Sequence, residues 1–160
     1  MILTTHSIVG ATIVNLFPNN PTLGFGLSLA SHYLLDMIPH KDYEISGFID
    51  GNTKTVKSVF NNIKSTVHMI FVGVDFFVGI ILCFSIFVRD DKTAYLTALG
   101  VLGGVLPDFF QFLYLKFKRH PFTAIQKVHD HVHNRSKPIT GYLSQILTIL
   151  ITVSLYFLLK

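Results

Sequence analysis

One run of residues, 67–88, does most to limit what this chain can fold into. It is apolar over about 22 residues, interrupted by His68 and Asp75, and as a helix it is long enough to cross a ~30 Å hydrocarbon layer. Residues 93–117 and 139–159 are two further runs of similar length and character. Inside lipid such segments satisfy their backbone polar groups by forming helices. The chain therefore reads as all-α, a polytopic membrane helical bundle. Composition agrees: half of the residues are hydrophobic and 14% are charged, against about a quarter charged in an ordinary soluble domain.

Two shorter apolar stretches, 6–17 and 22–38, lie upstream. The turn Pro18-Asn19-Asn20-Pro21 joins them and Pro39 ends the second. Counting both gives about five membrane helices in one integral membrane domain, residues 1–160. Segment 41–64 is polar, with a short surface helix expected over 53–63, and 118–137 is a basic, histidine-rich loop. Gly100, Gly103 and Gly104 give the fourth span a face for close packing, and Pro107 is expected to kink it. Cys83 reads as a small buried hydrophobe, so neither a disulfide framework nor a thiolate metal site is expected. No Lys or Arg precedes the first stretch and His6 interrupts its start, so the N-terminus does not read as a cleaved signal peptide. The net charge of +4 is small and dispersed, and no nucleic-acid partner is expected.

Residues 116–137 hold six Lys/Arg and 41–64 hold four, whereas the connections at 18–21 and 89–92 are short and carry few. With five spans, the positive-inside rule places both basic segments and the N-terminus on the cytoplasmic side of the cell membrane, with the C-terminus outside.

The apolar segments also contain His6, His32, Asp36, His68, Asp75 and Asp108. Each costs roughly 2.5–3.5 kcal/mol at mid-membrane if charged and unpaired. The topology collects them at one end. His6 begins the first helix, His32 and Asp36 end the second, and His68 and Asp75 begin the third. Asp108 lies within ~12 Å of the corresponding end of the fourth, at the helical rise per residue, and His129, His131 and His133 lie in the basic segment itself. His32 and Asp36 are four residues apart, on one helical face. Asp36 and His40 repeat that spacing across Pro39, and His129 and His133 form another such pair. Imidazole and carboxylate without thiolate suit Zn²⁺, Mn²⁺ or Fe²⁺.

Plainer readings stand beside this one. His32 and Asp36 could be a hydrogen-bonded pair that fixes packing, Asp108 could answer backbone groups freed by Pro107, and Asp75 could pair with His68. The downstream histidines could be solvated, and His120 beside Pro121 reads as surface. Ser31 and His32 are adjacent and do not share a helical face, so no serine-hydrolase arrangement is expected.

Three motifs carry a resemblance. They are Thr5-His6-Ser7-Ile8-Val9-Gly10-Ala11; Ser31-His32-Tyr33-Leu34-Leu35-Asp36-Met37-Ile38-Pro39-His40-Lys41-Asp42; and Gly104-Val105-Leu106-Pro107-Asp108, followed by the histidine-rich segment. Together they resemble the small bacterial membrane proteins labelled membrane-bound metal-dependent hydrolases, the YdjM-like group. More distantly they are similar to the helical fold of zinc-dependent phospholipase C and nuclease, in which His and Asp from several helices hold zinc ions. The resemblance implies His6, His32, Asp36, Asp108, His129 and His133 as metal ligands. Two departures stand out. Phe109-Phe110-Gln111 follows the Leu-Pro-Asp where a further Asp and His often occur, and there is no His-x-x-x-Glu.

The expectation is a hydrolase in the cytoplasmic leaflet that uses one or more divalent ions, foremost Zn²⁺, on phosphate esters of lipids. Membrane lipids are its partners, and basic residues face the headgroups. Asp36 and Asp75 are the candidate catalytic carboxylates, with Asp75 as general base. A small ion or proton transporter using the same residues, and a structural membrane protein, are the alternatives.

Overall fold

The computed structural model describes residues 1–43, 63–117, 119–133 and 138–160. Every element among them is a helix: α1 (Leu3–Leu16), α2 (Pro21–Met37), α3 (Ile63–Phe87), α4 (Asp91–Phe117), α5 (Phe122–Val132) and α6 (Pro138–Leu159). Most of the polar segment 41–64, with the short helix expected over 53–63, lies outside the described residues.

Three helices contain a stretch long and apolar enough to cross a membrane: Thr66–Phe87 in α3, Asp91–Tyr114 in α4 and Ile139–Leu159 in α6. The two N-terminal helices are shorter, 14 and 17 residues, or about 21 and 26 Å at the helical rise. Among the described residues, three helices are therefore long and apolar enough to span, where the sequence suggests about five.

The short helix α1 is the axis of the bundle. It packs against α2, α3, α4 and α6, and eleven of its fourteen residues are buried. Small residues make this possible. A Cβ added at Gly10 would lie 2.3 Å from the carbonyl oxygen of Gly100, and one at Gly104 would lie 2.3 Å from that of His6. The backbones of α1 and α4 thus touch, and Gly103 faces Ser28 and Phe25 of α2. This is the close-packing face expected of the α4 glycines.

Hydroxyl and amide side chains bond across these contacts. Ser28 donates to the Gly100 carbonyl at 2.9 Å, and Asn15 donates to the Ala11 carbonyl and to Thr97 Oγ1. Beside this polar seam lies an apolar cluster of Ile8, Ala11, Cys83, Phe87, Val101 and Tyr156. The outer faces of α3 and α6 are uncovered: Ile70, Phe71, Phe77, Leu143, Leu147 and Leu150 are among their exposed residues. So large an apolar surface fits a lipid environment.

The N-terminus of α1 has no side-chain cap of its own; distant residues supply one. Gln145 Oε1 accepts from the Ile2 N–H at 2.9 Å, the Tyr43 hydroxyl accepts from the Leu3 N–H at 3.0 Å, and Asp75 Oδ2 accepts from the Thr4 N–H at 3.0 Å. A carboxylate in that position also favours the positive end of the helix dipole. At the next connection Asn20 accepts from the Leu23 N–H and Pro21 opens α2. The second helix stops at Met37, where Ile38 turns extended ahead of Pro39.

The histidine-rich stretch is helical over Phe122–Val132 rather than a loop throughout. Gln126 and His129 are buried on the face of α5 that meets the bundle, while Lys127 and His131 are exposed.

Candidate metal centre

Four helices deliver side chains to one buried point. His6 comes from the first turn of α1, His32 and Asp36 from the last turns of α2, Asp108 from the residue after Pro107 in α4, and His129 from the last turn of α5. His6 and His32 stack with ring centroids 4.0 Å apart. The Asp36 carboxylate is the hub. Its Oδ1 is 3.3 Å from His6 Nε2, and its Oδ2 is 3.3 Å from His32 Nε2 and 3.2 Å from His129 Nε2. Asp108 Oδ1 lies 3.7 Å from His32 Nε2 and 3.5 Å from His129 Nε2. Donors held ~2.0–2.1 Å from a tetrahedral zinc are roughly 3.3–3.4 Å apart, so these spacings suit a single ion of that size.

Hydrogen bonding sharpens the fit. Both ring nitrogens of His6, His32 Nε2, His129 Nε2 and Asp36 Oδ2 are buried and make no hydrogen bond among the described residues. The three Nε2 atoms face the Asp36 carboxylate at 3.2–3.3 Å, so the unused bonding capacity of the rings is directed at one small volume. His32 Nδ1 donates to the Gly104 carbonyl at 2.7 Å. That bond fixes the ring and leaves Nε2 as the lone-pair nitrogen facing Asp36, the outer-shell arrangement expected of a ligating histidine. Gln111 Nε2 is 3.4 Å from His129 Nδ1 and holds that side of the ring.

Burial disfavours the charged form of His129, but Asp108 and Asp36 outweigh it and raise the group to about 9. The amino group of Met1 is 2.9 Å from Asp36 Oδ1 and 3.0 Å from Asp42 Oδ1.

A second set adjoins the first. After α2 ends, His40 Nδ1 donates to the Ile38 carbonyl at 2.7 Å, which turns Nε2 inward to 3.1 Å from Asp42 Oδ1 and 3.7 Å from Asp36 Oδ1. His133 Nε2, one helical turn beyond His129, is 2.8 Å from Asp42 Oδ2 and 3.4 Å from His40 Nε2. Burial would raise the Asp42 carboxyl, yet His133 and His40 hold it well below the usual range.

All six ligands that the resemblance implies therefore lie in one connected cluster of overlapping sets: His6, His32 and Asp36; His32, Asp108 and His129; and Asp36, His129 and His133. Asp75 does not join them. Its carboxylate is taken up by Thr4 Oγ1 at 2.7 Å, by the Thr4 N–H and by the Tyr43 hydroxyl. Burial and that bond to Asp75 push the Tyr43 phenol up, so it remains a donor. His131 points away, exposed. Asp42 is the site residue that helical spacing overlooks. The available signal is its position two residues after His40, in chain that Pro39 keeps out of the helix.

Among the described residues, the fold and the cluster define an all-helical protein with membrane-compatible helices and buried His/Asp groups able to hold a metal ion. Compared with known proteins, the chain matches no family model, no curated protein and no solved structure.

Proposed function

We propose that the protein is a metal-dependent hydrolase of the membrane, acting on phosphate esters of lipids. The observation that carries this reading is the convergence of His6, His32 and His129, whose Nε2 atoms face the Asp36 carboxylate at 3.2–3.3 Å, at the end of a bundle whose flanking helices expose apolar faces. His6, His32 and Asp36 would hold the ion, Zn²⁺ foremost, with His129 and Asp108 beside it. When bound, such an ion lowers the pKa of a ligated water toward ~7 and polarises a phosphoryl oxygen.

The remaining work falls to the chain. Gly104 and Gln111 orient the His32 and His129 rings. Asp108 is 21% exposed where Asp36 is fully buried, so it is the carboxylate placed to take a proton from water on the open side; Asp75, engaged by Thr4 and Tyr43, is not. Arg119 and Lys127, both exposed near α5, are suited to a phosphate headgroup, and the acyl chains would lie along the lipid-facing helices. In this reading α1 and α2 complete a five-helix membrane unit, with the site, the basic segments and the N-terminus at the cytoplasmic face.

The transporter alternative is weaker because the polar side chains deeper in the seam, Asn15, Thr97 and Ser28, are uncharged and bonded to backbone or to each other. The test is metal analysis of the purified full chain, with hydrolysis of phospholipid and lipid phosphate in mixed micelles. Stoichiometric metal, and activity lost in His32→Gln, are expected. No metal in the wild type, with His32→Gln indistinguishable from it, overturns the proposal.

A further inference from the structure

We propose that His40, Asp42 and His133 form a second divalent-cation site, joined to the first through Asp36, so that the protein holds a carboxylate-bridged pair of ions. This deepens the metal-dependent reading above and rests on it.

Four observations carry the inference. The first is donor geometry. His40 Nε2, His133 Nε2 and the two Asp42 oxygens are separated by 2.8–3.4 Å, and one ligand atom from each residue falls within 4.8 Å of the others. These are the separations of ligands on one small ion.

The second is the orientation of His40. Its Nδ1 donates to the Ile38 carbonyl at 2.7 Å, which fixes the ring with Nε2 directed at Asp42 and His133, the outer-shell support expected of a ligating histidine.

The third is continuity with the first set. Asp36 Oδ2 faces His32 and His129, and Asp36 Oδ1 lies 3.3 Å from His6 Nε2 and 3.7 Å from His40 Nε2. Asp36, His129 and His133 themselves form a third set of compatible donors. Asp36 thus stands between the two sets, where a carboxylate can bridge paired metals ~3.5–4 Å apart. His129 and His133, four residues apart on one face of α5, reach one set each.

The fourth is charge. Asp36 and Asp108 share His32 and His129 as neighbours, and Asp36 and Asp42 share His40, so three carboxylates crowd one site. In a buried site their charge must be met by protonated groups or by metal.

Asp42 and His133 are 16% and 12% exposed, so the second ion would sit at the open edge of the pair. That is the position from which a phosphate oxygen could contact both ions.

Manganese substitution tests this on the intact chain in detergent. The metal-free protein is titrated with Mn²⁺, bound ions are counted, and the electron paramagnetic resonance spectrum is recorded. About two ions per chain, with an exchange-coupled spectrum rather than the isolated six-line signal, are expected for a bridged pair. The double variant His40→Gln/Asp42→Asn should retain about one ion, show the uncoupled signal and bind the second at least about tenfold more weakly. Full binding of one uncoupled ion by the wild type overturns the second site and leaves the hydrolase reading standing. No bound ion overturns both. A double variant that keeps two coupled ions overturns the assignment to His40 and Asp42. The wild-type count decides the matter even if the variant fails to fold.

Discussion

Alanine at Gly100 would put a methyl group into backbone. Its Cβ would meet the Gly10 carbonyl oxygen at 2.4 Å, Ala11 Cα at 2.6 Å and Ala11 N at 2.8 Å. Ordinary contact begins near 3.4 Å, so α1 and α4 must part by 3.4 − 2.4, or about 1.0 Å, and no flexible side chain is there to yield. Overpacking of this kind costs about 1–3 kcal/mol. We place Gly100→Ala at the upper end, because the separation also strains the Asn15–Thr97 and Ser28–Gly100 bonds on either side. Gly104→Ala adds a second effect: it presses on the His6 carbonyl at 2.3 Å, in the residue whose ring is stacked on His32, and its own carbonyl orients that ring. The controls are Gly26→Ala and Gly73→Ala, where an added Cβ meets nothing within 4 Å. These should be neutral, or more stable by up to about 1 kcal/mol through helix propensity. Denaturant titration in detergent, followed by circular dichroism, gives the stabilities, and metal content gives the second readout. Gly100→Ala should lose stability with modest metal loss, and Gly104→Ala should lose both. If Gly100→Ala is as stable as wild type, or Gly26→Ala suffers equally, the backbones of α1 and α4 are not in contact and the account of the core is wrong.

Two further outcomes separate structural from ligating residues. Asp75→Asn should cost about 1–3 kcal/mol by weakening the remote cap on α1, while the metal count stays at the wild-type value; loss of metal at normal stability would return Asp75 to the site. His131→Gln should change neither stability nor metal content, whereas His129→Gln should lower metal affinity; equal effects from both would mean that α5 does not present the face described.

Much of the site was legible because helical periodicity alone puts His32 with Asp36, and His129 with His133, on common faces, and charge asymmetry puts their helix ends together. What periodicity could not supply was tertiary. Asp75 is correctly placed near the same end as the ligands, yet Thr4 and Tyr43 claim it, and nothing in local sequence records partners so far away along the chain. Asp42 was hidden for the opposite reason. Pro39 ends the periodic segment, so the pattern that marks His32 and Asp36 stops two residues before His40. The helix α5 was obscured by its polarity, although Phe122, Ile125, Gln126 and His129 follow the three- and four-residue spacing of an inward face.

The span count turns on what surrounds α1. A length rule of ~20 apolar residues describes a helix whose sides meet lipid. Helix α1 meets α2, α3, α4 and α6 instead, so neither its length nor its polarity is judged by the bilayer. That protection is what allows Thr5, His6, Ser7, Thr12 and Asn15 to occupy the middle of the bundle. It also makes the first turn of α1 dependent on others: Gln145 from α6, Tyr43 from beyond α2 and Asp75 from α3 must all reach it before its N–H groups are satisfied. His6 lies in that turn. Its ring therefore takes up its place beside Asp36 only when α6, α3 and the chain after α2 have closed on α1, so the assembly of the bundle and the assembly of the candidate centre are one event.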